Sequence, residues 1–187
     1  DNTPQKDVIY INKGLWSSKK IKNLYILGER PGSSSMYVPN KDSLKIYGFK
    51  EKDLKLFDVT STQQIECDTI ENSLNELKIR NIDYLKIDTQ GAELEILRGL
   101  GKYKPLLIKC EVQIYAMYKE VPEWTELLQY LSKLNYIYDS SYIQLIGYIL
   151  YDLNDEDNLK LARHLKGSIE EANNCLYSYE AYEHLSK

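Results

Sequence analysis

The segment from residue 82 to residue 100 constrains the fold of this chain more than any other. It opens with strand-forming apolar side chains, namely Ile82, Tyr84, Leu85 and Ile87. Asp88 follows, and Gly91 allows a tight turn before Glu93 and Glu95, whose charges suit the first turn of a helix. Apolar residues then recur at helical spacing, at Leu94, Ile96, Leu97 and Leu100. This order predicts a buried strand, a turn and a helix.

Asp88 is expected where that strand ends. In open α/β sheets, ligands bind in the crevice at the carboxyl ends of the strands, so the position favours a functional carboxylate. The ordinary structural alternative is a carboxylate that caps the following helix. Glu93, in the first helical turn, could reach the same crevice; alternatively, it is a solvated acid at the start of the helix. Glu111, near the end of the next predicted strand, would lie beside Asp88 if the two strands are neighbours; alternatively, it is an acid exposed at the sheet edge.

The rest of the chain predicts an alternating α/β pattern. Strands are expected at Val8–Ile11, Lys22–Leu27, Gln63–Cys67, Ile82–Asp88, Leu106–Val112, Tyr136–Tyr138 and Gln144–Tyr151. Helices are expected after Asp68, which forms a capping box with Glu71, after Gly91 and after Pro122. Strand 82–88 is predicted to be a central parallel neighbour of strand 106–111, and the last two strands a hairpin joined by an Asp-Ser-Ser turn.

Length, charge and cysteine content narrow the class of protein. The chain has 187 residues, which fits one domain over 1–187, with an α/β part at about 8–151 and a helical extension at about 155–187. Its net charge of −4 gives no footprint for nucleic acid or an anionic membrane. Three cysteines without metal-ligand spacing indicate reduced thiols, so we expect a cytoplasmic protein without a signal peptide or membrane span.

The run Leu85-Lys-Ile-Asp-Thr-Gln-Gly-Ala-Glu93, followed by Leu97 and Gly99, resembles the signature of the FkbM family of methyltransferases. The resemblance extends weakly over about residues 8 to 151. It implies a Rossmann-like class I methyltransferase sheet that ends in an antiparallel hairpin. It also implies transfer of a methyl group from S-adenosylmethionine, usually to a hydroxyl oxygen, here of a sugar, a glycan or a secondary metabolite.

Position in the predicted elements, together with this resemblance, gives candidate site residues. Catalytic roles would go to Asp88, Glu93 and Glu111. Cofactor contacts would come from Asn12, Gly14 and Leu15 under the adenine, and from Asp88, Gln90 and Gly91. The loop residues Ser33, Ser34 and Ser35 would contact the substrate; the alternative is an ordinary polar loop. The three acids could instead hold Mg²⁺ or Ca²⁺, but the absence of a supporting histidine favours a site without metal.

The sequence departs from a complete methyltransferase in one respect. None of its nine glycines follows a strand in a glycine-rich arrangement that leads into a helix, as the cofactor turn of this fold requires. We therefore expect that the first βα units are missing and that these residues alone bind the cofactor weakly. A sheet that lacks strands exposes edges, so a second copy of the chain is a candidate partner. The rival function is a non-catalytic interaction module derived from a methyltransferase.

Overall fold

The computed structural model describes residues 8–111, 113, 115–141 and 146–151, and for 137–141 and 146–151 the backbone alone. The predicted helical extension at 155–187 lies outside the described residues. Contacts divide the described chain into two compact units. The first comprises 8–80, 90–103 and 116–121, and the second comprises 81–89, 104–115 and 122–151 within the described positions.

The first unit contains a three-stranded sheet of order β1-β3-β2. Its strands are β1 (Gly14–Leu15), β2 (Lys20–Leu27) and β3 (Val59–Asp68), with β1 parallel and β2 antiparallel to β3. The described part of this unit has four α-helices: α1 (Lys41–Ile46), α2 (Glu51–Leu54), α3 (Ile70–Glu76) and α4 (Glu93–Arg98). The core beneath α1 and α2 is apolar and consists of Leu27, Leu44, Leu54 and Phe57.

The predicted strand at Val8–Ile11 is wrong. The structure assigns no strand there, and the side chains are 44% to 91% exposed. The first sheet begins only at Gly14, where β1 pairs with Cys67 and Asp68 of β3. A strand forms when a neighbour accepts its backbone hydrogen bonds, so an apolar run alone does not secure one.

The second unit contains a four-stranded sheet of order β4-β5-β7-β6. Its strands are β4 (Tyr84–Ile87), β5 (Leu107–Glu111), β6 (Tyr136–Ser141) and β7 (Ile146–Tyr151), and α5 (Trp124–Lys133) precedes β6. The parallel pairing of β4 with β5 and the antiparallel hairpin of β6 with β7 are both confirmed. The result is a mixed α/β fold with two small sheets, consistent with a methyltransferase-like arrangement.

Three local predictions need correction. β4 is an edge strand of its sheet in the described part of the chain, and β5 and β7 occupy the centre. The predicted turn at 139–141 is wrong because β6 continues through Ser141. Helix α3 is capped by Thr69, whose hydroxyl accepts from the Asn72 amide at 3.0 Å, because the Asp68 carboxylate accepts from the Thr69 amide instead.

Buried apolar residues hold the second unit around its strand pair. Ile87 of β4 and Leu107, Ile108 and Cys110 of β5 are almost inaccessible to solvent. The Tyr136 hydroxyl donates to the carbonyl of Pro105 at 2.8 Å, which ties β6 to the start of β5. Among the described residues, no helix is long and apolar enough to cross a bilayer.

Candidate functional site

The signature turn, defined here as Gln90 and Gly91, has an unusual backbone. Gln90 has φ of +58° and Gly91 has φ of +112°, so two consecutive residues lie at positive φ. Glycine is required at the second position for a further reason, because a Cβ there would lie 2.8 Å from Cγ2 of Val121. Gln90 carries a side chain in a conformation that costs it energy, so other contacts must hold it there.

Glu93 supports the signature turn from the start of α4. It is 6% exposed, and its Oε1 accepts from the Gly91 amide at 3.2 Å. A carboxylate at this position also opposes the helix dipole. Part of its hydrogen-bonding capacity therefore goes to the fold, and its catalytic role stays a prediction.

The serine loop, defined here as Gly28–Ser35, contacts the signature turn directly. The Ser35 hydroxyl donates to the Gln90 carbonyl at 2.7 Å and accepts from the Tyr37 amide at 3.1 Å. The Ser34 hydroxyl accepts from the Leu27 amide at 3.1 Å. The structure thus brings predicted substrate and cofactor residues together within the first unit. Two of the serine hydroxyls hold the loop, and substrate contact by the three serines stays a prediction.

Tyr118 completes this arrangement, and nothing in the sequence singled it out. Its ring is 1% exposed, and its hydroxyl lies 2.7 Å from the Ser33 carbonyl oxygen and 3.1 Å from Oε1 of Gln90. The contacts span 85 and 28 positions along the chain, so no local pattern could have indicated them. A lone tyrosine after a strand and a loop gives no periodic signal.

The predicted adenine-side residues lie at the start of the first sheet. Gly14 and Leu15 form β1, and Asn12 is exposed just before it. A Cβ at Gly14 would lie 2.7 Å from Sγ of Cys67 and 2.9 Å from Cε of Met36, so close packing explains this glycine. Directly after β1, the Trp16 amide donates to the Asp68 carbonyl at 2.9 Å, which holds this segment against β3.

An aromatic pair beside the signature turn was also missed. The rings of Trp16 and Tyr37 are 5.8 Å apart, and the Lys22 ammonium lies 4.3 Å and 5.7 Å from their centroids. Burial first, and then the charges of Glu95 and Glu93, raise the pKa of Tyr37 to about 12. Tyr37 is therefore a neutral hydrogen-bonding group at physiological pH.

Asp88 and Glu111 belong to the second unit and end neighbouring strands. Ile87 pairs with Cys110 across the parallel strands β4 and β5, and Asp88 and Glu111 are the next residue on each. The side chain of Asp88 is exposed and that of Glu111 is half-buried. Parallel strands direct their carboxyl ends to the same edge, so Asp88 and Glu111 lie at the same edge of the sheet, and their roles stay predictions.

The part of the chain that the structure describes contains no assembled set of metal ligands. There, no three histidine, cysteine, aspartate or glutamate side chains are close enough to hold an ion. Asp88 and Glu111 form a pair in the second unit, while Glu93 belongs to the first.

Comparison with known proteins identifies a family that the sequence matches. A family model described as the methyltransferase FkbM domain matches residues 6–138, which is more than half of the chain. A protein named Methyltransferase 1 from Beauveria bassiana (strain ARSEF 2860) is 30% identical over 74 residues. That alignment covers 38% of this chain and 30% of the relative, so it spans less than a third of that protein. No solved structure gives a significant match.

Proposed function

The chain belongs to the FkbM methyltransferase family, and on this basis we propose that it transfers a methyl group from S-adenosylmethionine to a hydroxyl oxygen of a sugar, a glycan or a secondary metabolite. The observation that carries the proposal is the parallel pair β4 and β5, which ends in Asp88 and Glu111 at one edge. This is the position at which open α/β sheets bind ligands, and the wider sheet is proposed to be of the Rossmann-like class I kind.

Asp88 is the proposed proton acceptor. When bound, the cofactor supplies a methyl group on its sulfonium. In that transfer the acceptor hydroxyl would give its proton to the Asp88 carboxylate, and the products would be a methyl ether and the demethylated thioether. Asp88 is exposed at the end of β4, so its carboxylate would be able to accept a proton and to attract a neighbouring positive charge.

The remaining residues are proposed to position the reactants. Glu111 ends the strand that neighbours β4 and would hold the acceptor hydroxyl or polarise it. Gln90 and Gly91 present a strained turn whose shape is held by the serine loop, and Asn12, Gly14 and Leu15 would contact the adenine side. Holding a hydroxyl in line with the methyl group accounts for much of the rate of such reactions.

Methyl incorporation tests the proposal. The protein as encoded, including any residues that precede Asp1, is incubated with S-adenosylmethionine labelled in its methyl group and with a panel of simple sugars, oligosaccharides and hydroxylated aromatic compounds. We expect label in an acid- and base-stable ether of at least one acceptor. Label recovered only as ester or amine products, or in none of the acceptors, would count against methyl transfer to a hydroxyl.

A second candidate function is a non-catalytic interaction module, and one observation favours it. Val8, Ile9, Tyr10 and Ile11 form a consecutive apolar run that is strongly exposed. Light scattering of the 187 residues, with Ile9→Lys as the matched variant, tests whether this run mediates association. Association that Ile9→Lys abolishes, together with no incorporation of label, would favour the interaction module.

A further inference from the structure

Tyr118 is a buried tyrosine of the first unit whose hydroxyl connects two separate segments of the chain. Its ring is buried, and its hydroxyl reaches both the serine loop at Ser33 and the signature turn at Gln90. Backbone contacts fix it in turn: Pro39 pairs with Tyr118 across an antiparallel bridge, and the Lys119 amide donates to the Val38 carbonyl at 2.8 Å. Pairing therefore fixes the backbone of Tyr118, and burial restricts rotation of its ring.

The hydroxyl has a single proton for two neighbouring acceptors. One acceptor is the Ser33 carbonyl oxygen at 2.7 Å, and the other is Oε1 of Gln90 at 3.1 Å. The hydroxyl can donate its proton to either oxygen. Tyr118 thereby ties the side chain of Gln90 to the serine loop.

Gln90 is contacted by both neighbouring segments. Its carbonyl accepts from the Ser35 hydroxyl at 2.7 Å, and its side chain accepts from the Tyr118 hydroxyl at 3.1 Å. These contacts help to hold a non-glycine residue at φ of +58°, a conformation that costs it energy. Strain maintained by surrounding groups is a feature of sites where geometry serves function.

We propose that Tyr118 is a positioning residue that holds the signature turn, and with it Gln90, in the conformation needed for methyl transfer. The proposal rests on the function proposed above. Tyr118 contacts neither reactant; it acts through Gln90 and through the serine loop. Removing its hydroxyl leaves the Gln90 amide without that partner and lets the turn relax.

Tyr118→Phe tests the proposal, and Tyr103→Phe is its matched control. The Tyr103 hydroxyl is also in the first unit and buried, and it lies 2.7 Å from the Ile79 carbonyl and 3.0 Å from Oδ1 of Asn75. Each variant loses one hydroxyl with one carbonyl and one amide contact. Both should therefore show similar falls in melting temperature, and only Tyr118→Phe should alter the signature turn.

Two readouts separate positioning from general stability. The first is the intraresidue amide-to-α-proton nuclear Overhauser effect at Gln90, which is strong at positive φ. It should weaken in Tyr118→Phe and persist in Tyr103→Phe. The second is methyl transfer by the protein as encoded, whose kcat should fall about tenfold in Tyr118→Phe and less than about twofold in Tyr103→Phe.

The outcomes are distinguishable. A Tyr118→Phe protein that keeps the strong effect at Gln90, or that loses no more kcat than Tyr103→Phe, overturns the proposal. If the unaltered protein transfers no methyl group, the proposed function fails while the nuclear Overhauser comparison still decides whether Tyr118 holds the turn.

Discussion

Asp88 and Glu93 lie five positions apart in one signature, yet they occupy different surroundings. Asp88 is exposed at the end of β4 in the second unit. Glu93 is buried in the first unit, where its carboxylate accepts from the Gly91 amide. Two acids that look equivalent in the sequence therefore differ in what their removal should disturb.

The difference follows from burial. A carboxylate withdrawn from water must be satisfied by hydrogen bonds, and those bonds then become part of the fold. A carboxylate at an exposed strand end is solvated, so its removal should disturb the fold less than removal of a buried one. The comparison predicts that Asp88 affects turnover and that Glu93 affects stability.

Replacement of Asp88 should have the largest effect. In the protein as encoded, we expect Asp88→Asn to lower turnover about 10²-fold or more, because the amide cannot accept the hydroxyl proton. Its free energy of unfolding should change by less than about 0.5 kcal/mol, as for other exposed sites. Steady-state transfer of labelled methyl groups and urea denaturation measure the two quantities.

Asp83→Asn is the control for Asp88. Asp83 is exposed and directly precedes β4, so it lies at the opposite end of the same strand. Its replacement should leave turnover within about twofold, since ligands bind at the carboxyl ends of strands. Unchanged turnover in Asp88→Asn would return Asp88 to a structural role as a cap.

Glu93→Ala should show the reverse pattern. Removal of the carboxylate leaves the buried Gly91 amide without that acceptor, which costs about 1–3 kcal/mol in the free energy of unfolding. Asp88→Ala, measured in the same denaturant series, should cost less than about 0.5 kcal/mol. Equal losses for the two alanine variants would break the distinction between the two acids.

The sequence predicted the elements whose pattern is long enough to be periodic. The pair β4 and β5, the helix after Gly91 and α5 were all visible as apolar runs or helical spacing. Helices α1 and α2 were missed because α2 has only four residues and α1 has apolar side chains only at Leu44 and Ile46, too few for helical spacing to repeat. The edge position of β4 was missed because apolar content indicates burial and not strand order.

The site was predicted as a set of residues but not as an arrangement. The signature located Asp88, Gln90, Gly91 and Glu93. It could not indicate that Ser35 and Tyr118 hold Gln90, because those contacts join segments far apart in the sequence. Spacing rules describe neighbours on one helix or strand, and long-range hydrogen bonds follow only from the folded chain.

A third acid, Asp68, sharpens the comparison between exposed and buried carboxylates. Asp68 is 2% exposed; its Oδ1 accepts from the Asn72 side-chain amide and the Thr69 amide, both at 2.8 Å, and its Oδ2 lies 3.4 Å from the Lys13 ammonium. We expect Asp68→Asn to lower the free energy of unfolding by about 1–3 kcal/mol at pH 7. Of the three acids, Asp68 should have the smallest effect on turnover.

The effect of Asp68 should depend on pH in a definite direction. The hydrogen bond from Asn72 and then that from Thr69 hold the pKa of this carboxyl below its usual value. A carboxyl whose pKa is lower in the folded state stabilises the fold fully above the usual value of about 3.9, and this contribution disappears as the pH falls through the lowered pKa. The difference in stability between the unaltered protein and Asp68→Asn should therefore be constant from pH 7 to about 5 and shrink below about 4.

Asp58→Asn, at an exposed residue paired with Lys41, should change stability by less than about 0.5 kcal/mol throughout. A difference for Asp68 that stays constant down to pH 2, measured by denaturation at each pH, would show that the charge of its carboxylate does not stabilise the fold.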